Sequence, residues 1–326
     1  MIRNNVKALS ESFFTKYETR VRRKEKDDFI ERTKESFREI GYTDEEMMIQ
    51  KSRFGGKNLI IGSPDADFLF TAHYDTPGRN GWIALPFAKI WGMGVASLVG
   101  MLIVLMLAWP GIILNLLGVN IEEHNVLRMI LSFAFLIIFF LMFALKNPHN
   151  HNDNTSGCLG VYNIATLISE NSSLKEKCAF VFFDMEEAGL LGSDAFAKWR
   201  RKQYPDKENS SVINLDCIGD GDYLVLASRK KPAALKERDA MTQFFHLKGF
   251  ETIKKTSSML GYLSDHAKFP NGIMLALLRR SKLGGLYIPN IHTSNDIVCD
   301  LDKIQRLSEV VVDYVIEKNL DIDDSP

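Results

Sequence analysis

Short apolar segments that alternate with helical patterns constrain the fold of this chain more than any other feature. Residues 178–184 are continuously apolar up to a final aspartate, as in a strand covered on both faces. Residues 212–216, 223–227 and 272–278 are further strand candidates, with helical patterns between them. This alternation predicts an α/β fold, in which a mostly parallel mixed sheet is covered by helices on both faces. Functional side chains in such folds gather at the ends of strands.

The N-terminal part of the chain leads into the first strand with chemically active side chains. After a predicted helix within the first forty residues, residues 47–53 and 58–62 flank a turn and predict a hairpin. The buried strand predicted at 67–72 then delivers His73 and Asp75, two positions apart. Residues spaced by two on a strand point the same way, so the Asp75 carboxylate can orient an imidazole that binds a metal.

Two long apolar runs interrupt this pattern. Residues 91–119 include 29 positions without a charged side chain, and residues 129–145 add 17 more. About 20 apolar residues cross a bilayer core, so we expect a transmembrane hairpin at 90–145. A buried core helix is the alternative. The remaining residues, 1–89 and 146–326, are expected to form one domain that the hairpin interrupts.

Charges around the two runs predict their orientation. Lys89 and Lys146 flank the outer ends of the pair, while the connecting loop carries Glu122 and Glu123. The positive-inside rule then places both chain ends in the cytoplasm. We therefore expect an integral membrane protein with the lipid bilayer as a partner and a cytoplasmic catalytic domain.

Composition excludes several classes of function. The chain has 326 residues with 40 basic and 41 acidic side chains, and its net charge of -1 gives no electrostatic basis for binding nucleic acid. Its four cysteines are far apart and form no C-x-x-C pair, which argues against a thiolate zinc site and fits a reducing compartment. Homo-oligomerisation stays open.

Ionisable side chains stand at the ends of the predicted strands and at the loops beside them. These candidates are His73, Asp75, Asp153, Glu186, Glu187, Asp216 and His292. Imidazole and carboxylate without thiolate favour zinc, with manganese or cobalt as alternatives. A pair of metals needs one ligand that reaches both, commonly a carboxylate, and a base that stands beside them. The adjacent Glu186 and Glu187 can supply one ligand and one base.

The order and character of five motifs resemble the co-catalytic zinc aminopeptidase family. That family includes bacterial leucyl aminopeptidase, glutamate carboxypeptidase II, the transferrin receptor and glutaminyl cyclase. The motifs are His73-Tyr74-Asp75, Asp153-Asn154-Thr155-Ser156-Gly157, Glu186-Glu187-Ala188-Gly189-Leu190-Leu191-Gly192-Ser193, Asp216 and His292-Thr293.

This resemblance implies a zinc aminopeptidase fold and two zinc ions held by matching residues. Asp153 would bridge the ions, with His73 and Asp216 completing one site and Glu187 and His292 the other. The implied activity is that of a metallopeptidase that removes N-terminal residues from peptide substrates. The predicted hairpin departs from the soluble members of the family and would make this enzyme membrane-anchored.

The resemblance also implies roles for residues that do not bind metal. Glu186 would be the general base that activates the attacking water, and Asp75 would orient His73. The segment Ser264, Asp265 and His266 resembles a substrate-side segment of the same family.

Other interpretations stay open beside the aminopeptidase. A glutaminyl cyclase resembles the same family but works with a single functional zinc, and a catalytically inactive receptor or scaffold would normally have lost ligands. Arg279 and Arg280 could hold a substrate carboxylate, as in a carboxypeptidase, although a solvated strand end is favoured. His149 and His151 could be extra ligands, although a polar loop at the exit from the predicted membrane hairpin is favoured.

Overall fold

One sheet organises the part of the chain that the structure describes. The structure is a computed structural model that describes residues 2–108, 126, 129–130, 132–134, 137, 145–258 and 261–323. Within these residues the sheet has nine strands. They are β1 (Met47–Lys51), β2 (Lys57–Gly62), β3 (Phe68–His73), β4 (Cys178–Phe183), β5 (Ser211–Leu215), β6 (Tyr223–Ser228), β7 (Thr252–Thr256), β8 (Gly272–Arg280) and β9 (Leu286–Tyr287).

The sheet is mixed with a parallel centre. Its order is β1-β2-β4-β3-β5-β8-β6-β7, and the short β9 pairs with β8. The four central strands, β4, β3, β5 and β8, pair in parallel, whereas the β1–β2 hairpin joins β4 in antiparallel register. The predicted α/β architecture with a mostly parallel mixed sheet is confirmed, although the sequence analysis missed β7 and β9.

Helices cover both faces of the sheet. The described helices are α1 (Ile2–Thr15), α2 (Arg23–Glu39), α3 (Gly81–Trp91), α4 (Met93–Ala108), α5 (Gly157–Ile168), α6 (Ser172–Glu176), α7 (Leu191–Gln203), α8 (Pro232–Leu247) and α9 (Leu301–Asp323). Of these, α5 is almost wholly buried and contacts β3, α1 and α9. Its position brings the residues just before it to the end of the sheet's central strands.

Alternate side chains of β3 enter two different cores. Phe68 and Phe70 belong to the larger cluster, together with Phe29 of α2. Leu69 points to the opposite face and packs in a second cluster with Phe196 of α7. Each face is therefore covered by helices, which explains why the central strands are apolar without polar alternation.

The helices near residue 92 contradict the predicted transmembrane hairpin. No helix among the described residues is both long enough and apolar enough to cross a membrane. The prediction of an integral membrane protein with a cytoplasmic catalytic domain is therefore wrong, and the lipid bilayer is withdrawn as a partner. Most of the predicted second span, together with residues 109–125, lies outside the described residues. The division into residues 1–89 and 146–326 stays a prediction.

A turn at Gly92 stands at the start of the first apolar run. Gly92 has a φ of +91°, in the left-handed region that favours glycine, and a Cβ there would lie 2.9 Å from the Cα of Gly285. The turn separates α3, with 11 residues, from α4, whose 16 described residues belong to the run. The N–H groups of Lys282 and Leu283 donate to the carbonyls of Lys89 and Ile90, which holds the end of α3 against the segment after β8.

Candidate metal centre

Three neighbouring parallel strands deliver four candidate side chains to one edge of the sheet. β3 ends at His73, Asp216 follows β5 directly, and Glu186 and Glu187 follow β4 by a few residues. Parallel strands that lie side by side place their carboxyl ends together, so residues far apart in sequence become neighbours.

Asp153 reaches this edge through the turn before α5. The turn, His151–Ser156, is pinned to the end of β5 because Asn154 donates its Nδ2–H to the carbonyl of Leu215 at 3.0 Å. A Cβ at Gly157 would lie 2.3 Å from the same carbonyl oxygen. Glycine at this position therefore permits the close approach of the turn to the strand.

The two carboxylate oxygens of Asp153 face two different imidazoles. Oδ1 lies 3.4 Å from Nε2 of His73, and Oδ2 lies 2.9 Å from Nε2 of His292. Asp216 Oδ1 is 3.9 Å from His73 Nε2, and Glu187 Oε1 is 3.4 Å from His292 Nε2. Two groups of donor atoms result, each spanning less than 4.8 Å, and Asp153 belongs to both.

The buried carboxylates at this centre favour a bound cation. Burial lowers the pKa of the His73 imidazole, but Glu186 and the other carboxylates around it outweigh this and raise the pKa well above its ordinary value. The pKa of His292 is likewise raised by Glu187 and Asp153 against the effect of burial. Without metal, protons on these imidazoles balance the carboxylates. A divalent cation can replace those protons, so the donor set fits a metal.

Glu186 lies at the same centre with a different electrostatic character. Burial raises the pKa of its carboxyl well above the ordinary range, with His73 opposing the rise and Glu187 adding to it. Its side chain lines the cavity beside both donor groups. A raised pKa makes a carboxylate a stronger proton acceptor, which suits a general base.

Asp75 fixes the backbone of the glutamate pair. Its Oδ1 accepts the N–H of Glu186 at 3.0 Å, and its Oδ2 accepts the N–H of Glu187 at 3.2 Å. The acceptor nearest to Nδ1 of His73 is the main-chain carbonyl of Asp75 at 3.1 Å, while the carboxylate is 3.6 Å away. The sequence predicted contact with His73 and missed the contacts with the glutamates.

We expect Asp75→Asn to lower kcat/KM by about 10- to 100-fold, the usual cost of losing a partner that orients metal ligands. The amide keeps the size of the side chain but presents an N–H₂ group to one of the two backbone donors. Steady-state kinetics and zinc content measure the effect, with Asp67→Asn on the surface as the matched control. An unchanged rate in Asp75→Asn would remove its positioning role.

Two further residues at the centre were not found from the sequence. Asp296 accepts the N–H groups of Asn152 and Asp153, both at 3.0 Å. Asn80 Oδ1 lies 2.8 Å from Nδ1 of His292, which leaves Nε2 of that ring free for a metal. Asp296 follows the His292 motif by four residues, which is a usable signal, whereas nothing local distinguishes Asn80.

The predicted substrate-side segment lies beside the cavity. Ser264, Asp265 and His266 are buried, and burial raises the pKa of the Asp265 carboxyl to about 7. The lining of the cavity, as far as the chain is described, includes the neighbouring Tyr262 and Leu263 and none of these three. Their role stays a prediction.

An apolar cavity of about 160 Å³ opens onto the metal-ligand candidates. Its floor is polar and consists of the side chains that face one another at the centre. Its apolar wall includes Met93, Leu263, Met274, Leu278, Ile288 and Ile291. Met93 begins α4, so the first apolar run contributes directly to the pocket.

The comparisons with known proteins agree on this fold. The model of a family described as Peptidase family M28 matches residues 148–315. The LapA aminopeptidase of Legionella pneumophila is 15% identical, with a TM-score of 0.59 over 97% of this chain and 70% of that chain. A leucine aminopeptidase precursor from Bacteroides thetaiotaomicron is 14% identical, with a TM-score of 0.56 over 96% and 93%.

A third solved structure carries a different activity on the same fold. The glutaminyl cyclase of Porphyromonas gingivalis is 15% identical, with a TM-score of 0.52 over 97% of this chain and 96% of that chain. No curated protein matches the chain. At such identities the likeness between structures establishes the fold alone.

Proposed function

Since this chain belongs to peptidase family M28, a family of metallopeptidases, we propose that it is an aminopeptidase with two zinc ions. One observation carries the proposal: the two oxygens of Asp153 face His73 and His292 separately. A carboxylate placed in this way can bridge two metal ions. Manganese and cobalt are accepted by similar donors, so the metal content of the purified protein decides between them.

The metal ligands proposed for each ion come from three parts of the chain. His73, Asp153 and Asp216 would hold one ion, and Asp153, Glu187 and His292 the other. Bound zinc would act as a Lewis acid that lowers the pKa of water and polarises the scissile carbonyl.

Glu186 is proposed as the base because its carboxylate lies at the cavity without being needed in either donor group. It would take a proton from the attacking water and pass it to the nitrogen of the leaving amine. The raised pKa of this carboxyl suits the first of these transfers. Asp75 would hold Glu186 in place through the hydrogen bond that its carboxylate accepts from the backbone N–H of Glu186.

The size of the cavity supports cleavage at a chain end. Ligand pockets commonly measure about 300 to 1,000 Å³, and a cavity of about 160 Å³ offers room for little more than one side chain. Its wall of methionine, leucine and isoleucine side chains suits an aliphatic residue. We therefore propose peptides with an apolar N-terminal residue, such as leucine or methionine, as the substrate class.

A panel of chromogenic reporters tests this function. We expect the leucyl reporter to be cleaved with a kcat/KM about 10- to 200-fold above that of the alanyl reporter, the range that methylene groups contribute in an apolar pocket. Lysyl and aspartyl reporters should be poorer still, because the pocket would bury their charges. An N-acetyl-leucyl reporter, in which the α-amine is blocked, is the matched control that tests whether a free amine is required. Equal cleavage of the acetylated reporter would exclude an aminopeptidase.

The glutaminyl cyclase alternative is supported by the fold shared with the Porphyromonas gingivalis enzyme. Adding an N-terminal glutaminyl peptide to the panel separates the two activities, since cyclisation releases ammonia and leaves the peptide chain intact. A zinc-loaded protein that turns over no member of the panel would favour the inactive receptor or scaffold.

A further inference from the structure

A second group of metal-binding side chains lies outside the centre described above. Glu18, in the connection between α1 and α2, faces two histidines of the segment before α5. Its Oε1 is 2.7 Å from Nδ1 of His149 and 2.8 Å from Nε2 of His151. The three donor atoms lie within 4.8 Å of one another.

The contact on the far side of His151 orients its ring toward Glu18. Nδ1 of His151 is 2.9 Å from the carbonyl oxygen of Ile297. A carbonyl only accepts, so Nδ1 is the donor in this contact, and Nε2 of the same ring faces the Glu18 carboxylate. Histidines that bind metals commonly donate their other N–H to a carbonyl in this way.

We propose that Glu18, His149 and His151 form a further zinc site, separate from the two-metal centre. Two imidazole nitrogens and one carboxylate oxygen are a common set of three protein ligands for zinc. The side chain of His149 is 40% exposed, so water can complete the coordination. This exposure also leaves a path for the ion to enter.

The position of the site gives the ion a structural role. Asn150, between the two histidines, donates its Nδ2–H to the carbonyl of Glu18 at 3.0 Å. The ring of His151 stacks on Phe14 of α1, with centroids 4.3 Å apart. An ion here joins the connection between α1 and α2 to the segment that leads into the Asp153 turn, and the His151 ring contacts the carbonyl of Ile297 in the loop after His292. Zinc bound at this site therefore stiffens the support of the catalytic centre without entering it.

Zinc stoichiometry tests the site independently of catalysis. Wild type and the variants His149→Ala and Glu18→Gln are loaded with zinc chloride, dialysed and analysed by mass spectrometry of the metal. We expect each variant to hold one zinc ion fewer per chain than wild type. His246→Ala, at an exposed histidine of α8, is the matched control and should retain the full content. Equal zinc in wild type, His149→Ala and Glu18→Gln would overturn the proposal.

A variant that lacks two of the proposed catalytic ligands tests this site independently of the two-metal centre. In His73→Ala/His292→Ala the proposed catalytic ligands are gone, and we expect one zinc ion to remain and to raise the melting temperature. Adding His149→Ala should abolish both the ion and the shift. If the background variant is folded by circular dichroism and binds no zinc, the further site is refuted. If His149→Ala holds one zinc ion fewer than wild type, but wild type cleaves no reporter, the further site is supported and only the proposed function fails.

Discussion

Glu186→Gln is expected to lower kcat by about 10²- to 10⁴-fold while the zinc content stays at the wild-type value. The amide preserves the shape of the side chain but cannot accept the proton of the attacking water, and removal of a general base typically costs this much. Steady-state kinetics on the leucyl reporter and metal analysis of the same preparation measure the two effects together.

The neighbouring glutamate provides the sharpest comparison. Glu187 Oε1 lies 3.4 Å from His292 Nε2 within a donor group, so Glu187→Gln should weaken zinc binding as well as activity. Glu208→Gln, at a surface ion pair with Arg201, is the control for the chemical change. If Glu186→Gln lost zinc and Glu187→Gln kept it, the roles of the two residues would have to be exchanged.

Asp153→Asn is expected to weaken zinc binding at both positions and to abolish activity. Only one oxygen remains after the substitution, and the N–H₂ group that replaces the other cannot bind a metal. Loss of an outer partner costs about 10- to 100-fold in metal affinity, and loss of a shared ligand should cost more. Titration with a zinc-sensitive chelating dye measures the affinities.

The control for Asp153→Asn is Asp239→Asn, at an exposed position of α8. Activity should return only partly at high zinc, because added metal restores occupancy without restoring the bridge. Two zinc ions bound at wild-type affinity by Asp153→Asn would show that this carboxylate is not shared.

The strand ends that carry the candidate site could be predicted because their signals are local. β3, β4 and β5 are apolar runs. His73 ends the first, Asp216 follows the third directly, and Glu186 follows the second by three positions. The family resemblance was also read from such local motifs and is confirmed as peptidase family M28. The residue types alone left open which glutamate binds metal, because adjacent side chains of the same type differ only in their tertiary neighbours, and only the family resemblance assigned Glu187 as the ligand.

The contacts that support the site could not be predicted because they depend on chain segments that meet only in the fold. Asn80 and His292 are 212 positions apart, and Asp296 and Asp153 are 143 apart. Neither pair belongs to a repeating pattern.

The transmembrane prediction failed for a physical reason. Apolar composition alone does not fix the length of a helix or its place in the fold. Gly92 adopts a left-handed turn that separates α3 from α4, and Met93 at the start of α4 lines the cavity. No helix among the described residues is long and apolar enough to cross a membrane.

The candidate ligands lie far apart in the sequence, so the proposed activity would appear only late in folding. His73 stands in the first third of the sequence and His292 in the last, and β3, which ends at His73, pairs with β5 in the middle third. Residues 148–315 alone contain no equivalent of His73, so this fragment cannot assemble the full ligand set. With the proposed ligand set, a chain under synthesis would gain peptidase activity only after its last third has emerged and packed. Hydrolysis of a reporter would then follow the pairing of segments that are distant in the sequence.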